Sequence, residues 1–225
     1  MATEVKNVGN SVRELLAMGE VGKAIDLLIA AGHGYHVNIG AFTTPIVGGG
    51  AGTVIDQDQP EGVLSIGANE AMIPISIGVQ TEVGLIAADS EVDEILIAAA
   101  RLLPAGGLAI TGLVREAVFN MRTDLGSADA GPLTAVSTVT ANITNPTLDL
   151  ELARAQYFRD VQGTPASVWA TKFDLLYEPK HPPIIMGNKT GAAIYIYFGG
   201  TVAVSGFAQA QVVVFPQGWV SGISV

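Results

Sequence analysis

Residues 192–216, AAIYIYFGGTVAVSGFAQAQVVVFP, decide the fold. Ile194, Tyr195, Ile196, Tyr197 and Phe198 form an unbroken run of β-branched and aromatic side chains. Such runs read as strands covered on both faces. Gln209, Ala210 and Gln211 then lead into Val212, Val213, Val214 and Phe215, and Pro216 closes the second run. Gly199 and Gly200 read as a break, with a short strand over 201–204. The spacing predicts 192–198 and 208–215 as neighbouring central strands.

Working back from there, Gly187, Asn188 and Gly191 mark a turn, and residues 182–185 lead into it. Residues 167–177 read as a strand with Trp169 and Phe173 on one face. Residues 149–162 read as a polar connection with helical character, 134–144 as a strand, and 113–130 as a short helix or loop insertion. A strand is expected at 94–99, closed by Pro104 and the Gly106-Gly107 pair. In residues 71–80, Ile73, Ile75, Ile77 and Val79 alternate with Pro74, Ser76 and Gly78, and Pro74 puts that strand at an edge or at its own start. Strands are also expected at 35–39, 53–55, 62–66 and 82–87. Eight to ten strands separated by turn signals argue for a sandwich or barrel.

The first thirty residues read differently. Ser11 and Glu14 have the spacing of a capping box. Val12, Leu15 and Leu16, then Ile25 and Leu28, make an apolar helical face that Gly19 and Gly22 divide into two short helices. The expected organisation is a helical arm at 1–34, a β-sandwich at 35–217 and a tail at 218–225.

Composition narrows the function. The chain is 49% hydrophobic and 14% charged, with a mean hydropathy of +0.43. About 25% charged is usual for a globular domain. A monomer of this make-up has little polar surface with which to cover itself, and large apolar patches are rare on soluble monomers. Burial between copies of the same chain is therefore expected, with the protein soluble before it assembles. No run is long enough to span a bilayer, and no signal peptide is expected at the N-terminus. Cysteine is absent, so disulfides and thiolate metal sites are excluded. The net charge is −10, and residues 1–100 carry only Lys6, Arg13 and Lys23 against thirteen acids. Without a basic arm, strong direct binding to nucleic acid is not expected.

With residues 182–186 led by Pro182 and Pro183, an aromatic strand at 192–198 and an ending in Val214, Phe215 and Pro216, the chain resembles the single jelly-roll coat proteins of icosahedral viruses and phages. The helical arm ahead of the first strand is similar too. The resemblance spans roughly residues 35–216 and implies a mostly β jelly-roll antiparallel sandwich. It also implies a self-assembling capsid subunit, located in the virion, whose partners are its own copies and other capsid proteins. The arm departs from the basic arms of many such proteins, so the resemblance does not extend to packaging a genome.

Catalysis finds no support in the sequence. His33, His36 and His181 lack the spacing of a strand-borne metal pair, and Gly48 to Gly52 lack the Gly-Lys-Ser/Thr ending of a phosphate loop. No catalytic residue and no cofactor are expected. The acidic group Asp89, Glu91, Asp93 and Glu94 can offer oxygens to calcium, with Asp56 and Asp58 as a second candidate. Val12, Leu15, Leu16, Ile25 and Leu28 are expected to seat the arm on a neighbouring subunit. On that view, a chain lacking residues 1–31 folds but assembles poorly. The alternative function is a trimeric receptor- or carbohydrate-binding head, for which Tyr35 and Tyr157 are the candidate exposed aromatics.

Overall fold

The computed structural model describes residues 2–41, 43–48, 55–82, 90–100, 114–125, 131–137, 146–160, 173–188, 190–200 and 204–220. Two helices, α1 (Ala2–Ala17) and α2 (Val21–Ala30), come first. The strands that follow are β1 (Gly34–Ile39), β2 (Ile46–Val47), β3 (Gly62–Ile66), β4 (Glu70–Glu82), β5 (Ser90–Ala100), β6 (Val114–Arg115) and β7 (Val118–Asn120). After them come β8 (Leu133–Ser137), β9 (Leu150–Asp160), β10 (Phe173–Tyr177), β11 (Ile185–Met186), β12 (Ala192–Gly200) and β13 (Ser205–Pro216).

The strands form two antiparallel sheets packed as a sandwich. The first runs β10-β4-β13-β1-β7, with β2 on β13 and β11 on β4; the second runs β6-β8-β3-β12-β5-β9. Eight of these strands make a jelly roll, β1-β13-β4-β10 facing β3-β12-β5-β9, and the chain passes repeatedly from one sheet to the other. The short strands β7, β8 and β6 extend one edge of each sheet.

The core lies between the sheets. Val37, Ile39, Ile77, Val79, Val212 and Val214 of the first meet Leu64, Ile95, Ile97, Ile194, Ile196 and Phe198 of the second. The period-two pattern accounts for this, since alternate residues of each strand face the same side. One buried carboxylate closes a gap in the ladder. The β3 pairing with β12 stops at Gly62 opposite Ile196, and Glu61 then accepts the Phe198 N–H at 2.8 Å.

Several sequence expectations are corrected here. Residues 192–198 and 208–215 are not neighbours in one sheet: β12 and β13 lie in opposite sheets and meet across the core. Gly199 and Gly200 do not break β12 but continue it, opposite Glu94 and Asp93. Residues 149–162 contain β9 rather than a helical connection. The Ala, Glu and Arg content of β9 favours helix locally, but its antiparallel pairing with β5 prevails. Residues 114–120 supply two short strands. Pro74 lies within β4 rather than at its start and pairs with Val212 of β13. However, β10 and β11 pair with β4 only at 77–81 and 71–72, so the side of β4 away from β13 is an edge at Pro74, as a residue without an N–H requires. Ser11 and Glu14 lie in the middle of α1, so they do not cap it.

A backbone crossing locks the β11 end of the first sheet. Gly187 donates its N–H to the Glu70 carbonyl at 2.8 Å. A Cβ at Gly187 would stand 2.0 Å from the Gly67 carbonyl oxygen, with backbone on both sides and nothing flexible to yield. Gly187→Ala is expected to cost about 3 kcal/mol, read as a lowered urea midpoint at unchanged slope. An unchanged midpoint would mean that this crossing is looser than described.

Candidate assembly surface

The outward face of the first sheet is divided between cover and open ground. At one end Ala71, Ile73, Val213 and Phe215 turn outward and are buried under the helices by Val12 and Leu28. Val8, Leu16, Ile25, Leu27 and Ile29 pack at the margin of the same cluster. Trp219 wedges the assembly together. Its ring stacks on Phe215 with centroids 6.2 Å apart and meets His33 edge-on at 5.2 Å. Gly9 of α1 comes so close that a Cβ there would lie 2.7 Å from the Trp219 indole nitrogen. His33 Nδ1 is 3.1 Å from the Val214 carbonyl. Burial pushes the imidazole below its ordinary pKa, and the hydrogen bond partly offsets this.

The arm is therefore seated on its own subunit. Val12 and Leu28 are fully buried, and Leu16 and Ile25 pack beside them, so these four face the chain's own first sheet rather than a neighbour; Leu15 is half-buried. The reason is proximity. Ala31, Gly32 and His33 alone separate α2 from β1, and Gly32 takes a φ of +88° to reverse the chain. Trp219 and Val220 belong to this cover as well, since they join the cluster.

The other end of the face is open. The register aligns Phe119, His36, Gln211 and Ser76 in one row across β7, β1, β13 and β4. The next row holds Asn38, Gln209, Gly78 and Leu176, and the third holds Phe207, Gln80 and Asp174. Every one of these residues is exposed or half-buried. Phe119 at 47% exposure and Leu176 at 64% stand at opposite margins of a field of amides. His36 Nε2 lies 3.1 Å from Asn38 Oδ1 within that field. Asp174 is the one acid in these three rows. In a chain with a net charge of −10, a nearly uncharged, amide-rich face is where two copies meet with least repulsion. Side-chain amides both donate and accept, so such a face can pair with itself.

Of the acidic group expected to bind calcium, the structure places the side chains of Asp93 and Glu94 alone, and these two do not share a face. Asp89 lies outside the described residues, as does the side chain of Glu91. Asp93 and Glu94 are successive residues of β5, so the pleat sends them to opposite faces. Asp93 is 2% exposed, while Glu94 makes an ion pair with Arg154 of β9, whose guanidinium also holds Glu151 at 2.9 Å. Among the described residues, no three acidic or histidine side chains converge as a metal site would need. Tyr35, expected as an exposed aromatic, is buried in the core; Tyr157 is exposed, and Trp169 lies outside the described residues. The amide face escaped sequence reading because its members come from five strands. Its only local trace was the Gln209-Ala210-Gln211 alternation at the head of an apolar strand.

Among the described residues, no helix is long and apolar enough to cross a membrane. No family model matches the sequence, and no curated protein is significantly similar to it.

Proposed function

We propose that this chain is a structural, non-catalytic subunit of a viral or phage shell, which assembles with copies of itself and with other capsid proteins in the virion. The observation that carries the reading is the open, nearly uncharged half of the first sheet's outer face, framed by Phe119 and Leu176. The jelly-roll strand order and the apolar composition support it. A sandwich of this kind is a rigid wedge with sheets about 10 Å apart, and contacts that are weak singly become strong when repeated around a closed assembly.

Light scattering with negative-stain imaging tests the reading. The wild-type chain is expected to form closed rings or megadalton particles. The double variant Phe119→Glu, Leu176→Glu puts charge on both margins of the face and is expected to give a folded monomer, since both side chains are exposed. A wild-type chain that stays monomeric over a wide concentration range would overturn the proposal. A discrete wild-type trimer would favour a receptor- or carbohydrate-binding head instead.

A further inference from the structure

His33 stands where the arm joins the sandwich. It is the last of the three residues between α2 and β1, and its backbone serves both sides. Its N–H donates to the Leu28 carbonyl at 2.9 Å, and its carbonyl accepts the Val214 N–H at 2.9 Å. The side chain lies in the seam between arm and sheet. Its bond to the Val214 carbonyl requires the proton of the neutral ring to be on Nδ1. The same ring meets Trp219, which in turn stacks on Phe215 and closes on Gly9 of α1. One imidazole thus touches the groups that seat both the arm and the turn at Gln217–Trp219 on the first sheet.

The described side chains around it offer no counter-charge. β13 and the turn at Gln217–Trp219 carry no ionisable group. Arg13 and Glu14 of α1, and Lys23 and Asp26 of α2, are exposed. Arg122, in the loop after β7, donates to the Ala30 carbonyl at 2.8 Å and is paired with Asp124. On β1, His36 is engaged with Asn38, and Glu70 of β4 acts on Tyr35. His33 itself feels burial first and the Val214 hydrogen bond second. A second proton, on Nε2, therefore sets a full charge against apolar and aromatic side chains, and water relieves that cost once the seam opens.

We propose that His33 is an acid-sensitive latch on the helical arm: protonation of its imidazole loosens α1, α2 and Trp219 from the first sheet, baring Ile73, Val213 and Phe215. The sign follows from where the proton is better held. Burial keeps the seated imidazole below its ordinary value, whereas lifting the arm returns it to about 6.5. The seat is at full strength above about pH 6.5 and weakens as the pH falls toward the lowered, seated value. One preferentially bound proton shifts the opening equilibrium by at most about tenfold per pH unit. Acid thus raises the frequency of opening without emptying a seat that also buries Val12 and Leu28. The latch does not depend on what the open amide face binds.

Thiol labelling of the full-length chain reads the opening, because the protein has no cysteine of its own. Ala71→Cys puts a thiol beneath the arm, and Ala210→Cys puts one in the core between the sheets; both positions are buried. Labelling rates are referred to those of the unfolded chain at the same pH, which removes the thiol's own titration. From about pH 7.5 to about pH 5, Ala71→Cys is expected to open several-fold more often, within the limit of about tenfold per pH unit, while Ala210→Cys stays protected. The amide of His33→Asn can still donate to the Val214 carbonyl but does not titrate. Added to Ala71→Cys, it should keep the thiol protected at both pH values, whereas His36→Gln and His181→Gln should leave the acid response intact. Proton resonances of the histidine rings give a check on the unmodified chain: His33 should titrate below the histidines of the same chain in urea. A His33 that titrates with the unfolded chain would overturn the proposal. So would an acid response that survives His33→Asn, or one shared equally by Ala210→Cys, since the proton would then act on the whole fold.

Discussion

A chain lacking residues 1–31 is expected to lose the soluble folded state, precipitating or adopting a loosely packed form that binds hydrophobic dyes. Truncation removes Val12, Ala24 and Leu28, all fully buried, together with the flanking Val8, Leu16, Ile25, Leu27 and Ile29. It bares Ala71, Ile73, Val213 and Phe215 on the first sheet and takes away the seat of Trp219 on Gly9. Each fully buried aliphatic side chain contributes about 1.5–3 kcal/mol. Several lost together approach the whole stability of a typical domain, about 5–15 kcal/mol. This reverses what the arm's sequence alone suggests, namely a folded subunit deprived only of assembly. A truncated chain with native thermal stability and a native near-ultraviolet spectrum would show that the arm contributes little to its own sheet. Its natural place would then be on a neighbour. A milder probe is Leu28→Asp, expected to lower the urea midpoint sharply by burying an unpaired carboxylate.

Alkaline unfolding should begin near pH 10 and be steep. Burial pushes the Tyr195 hydroxyl up to about 12. It pushes Tyr197 higher still, helped by Tyr195 and the acids of the 55–59 turn. In the unfolded chain both return to the ordinary tyrosine value of about 10. Because the folded values are raised, the stability these residues contribute is fully present below about pH 10. Above that the unfolded state releases protons that the folded state retains. Stability then falls by about 1.4 kcal/mol per pH unit for each tyrosine, until the folded groups ionise in turn. Denaturant midpoints measured from pH 8 to pH 12 should be flat and then drop, and tyrosinate absorbance from this pair should appear together with unfolding. If the absorbance of all five tyrosines rose reversibly near pH 10 while the near-ultraviolet spectrum stayed native, Tyr195 and Tyr197 would be solvated in the fold.

What could be read in the chain and what could not divide along the range of the interactions involved. The strands at 35–39, 62–66, 71–80 and 94–99 were legible because period-two alternation, or a continuous apolar run, is a local pattern that burial imposes directly. The break between the helices was legible for a similar reason, since Gly19 takes a φ of +76° that most residues avoid. In β9, local preference pointed the wrong way: Glu151, Ala153, Arg154 and Ala155 favour helix, and only pairing with β5, more than fifty residues earlier, makes them a strand. Pro74 was legible as an edge residue, but that its edge is a gap between β10 and β11 along β4 depends on strands far along the chain.

The candidate surfaces divide in the same way. The sequence by itself determined the fold class, the absence of thiol chemistry, the acidic charge and the shortage of polar cover, because these depend on residue types and short periods. Tertiary structure alone decided which apolar face the arm would satisfy. An amphipathic helix specifies that it must be covered but not by what, and here the three residues before β1 bring it onto Ile73, Val213 and Phe215. Tertiary structure also gathered the open amide field from five strands and brought Glu94 of β5 to Arg154 of β9. Charge and polarity are carried by single residues, but their proximity depends on strand register and sheet order, which in this chain are fixed by partners far apart in sequence.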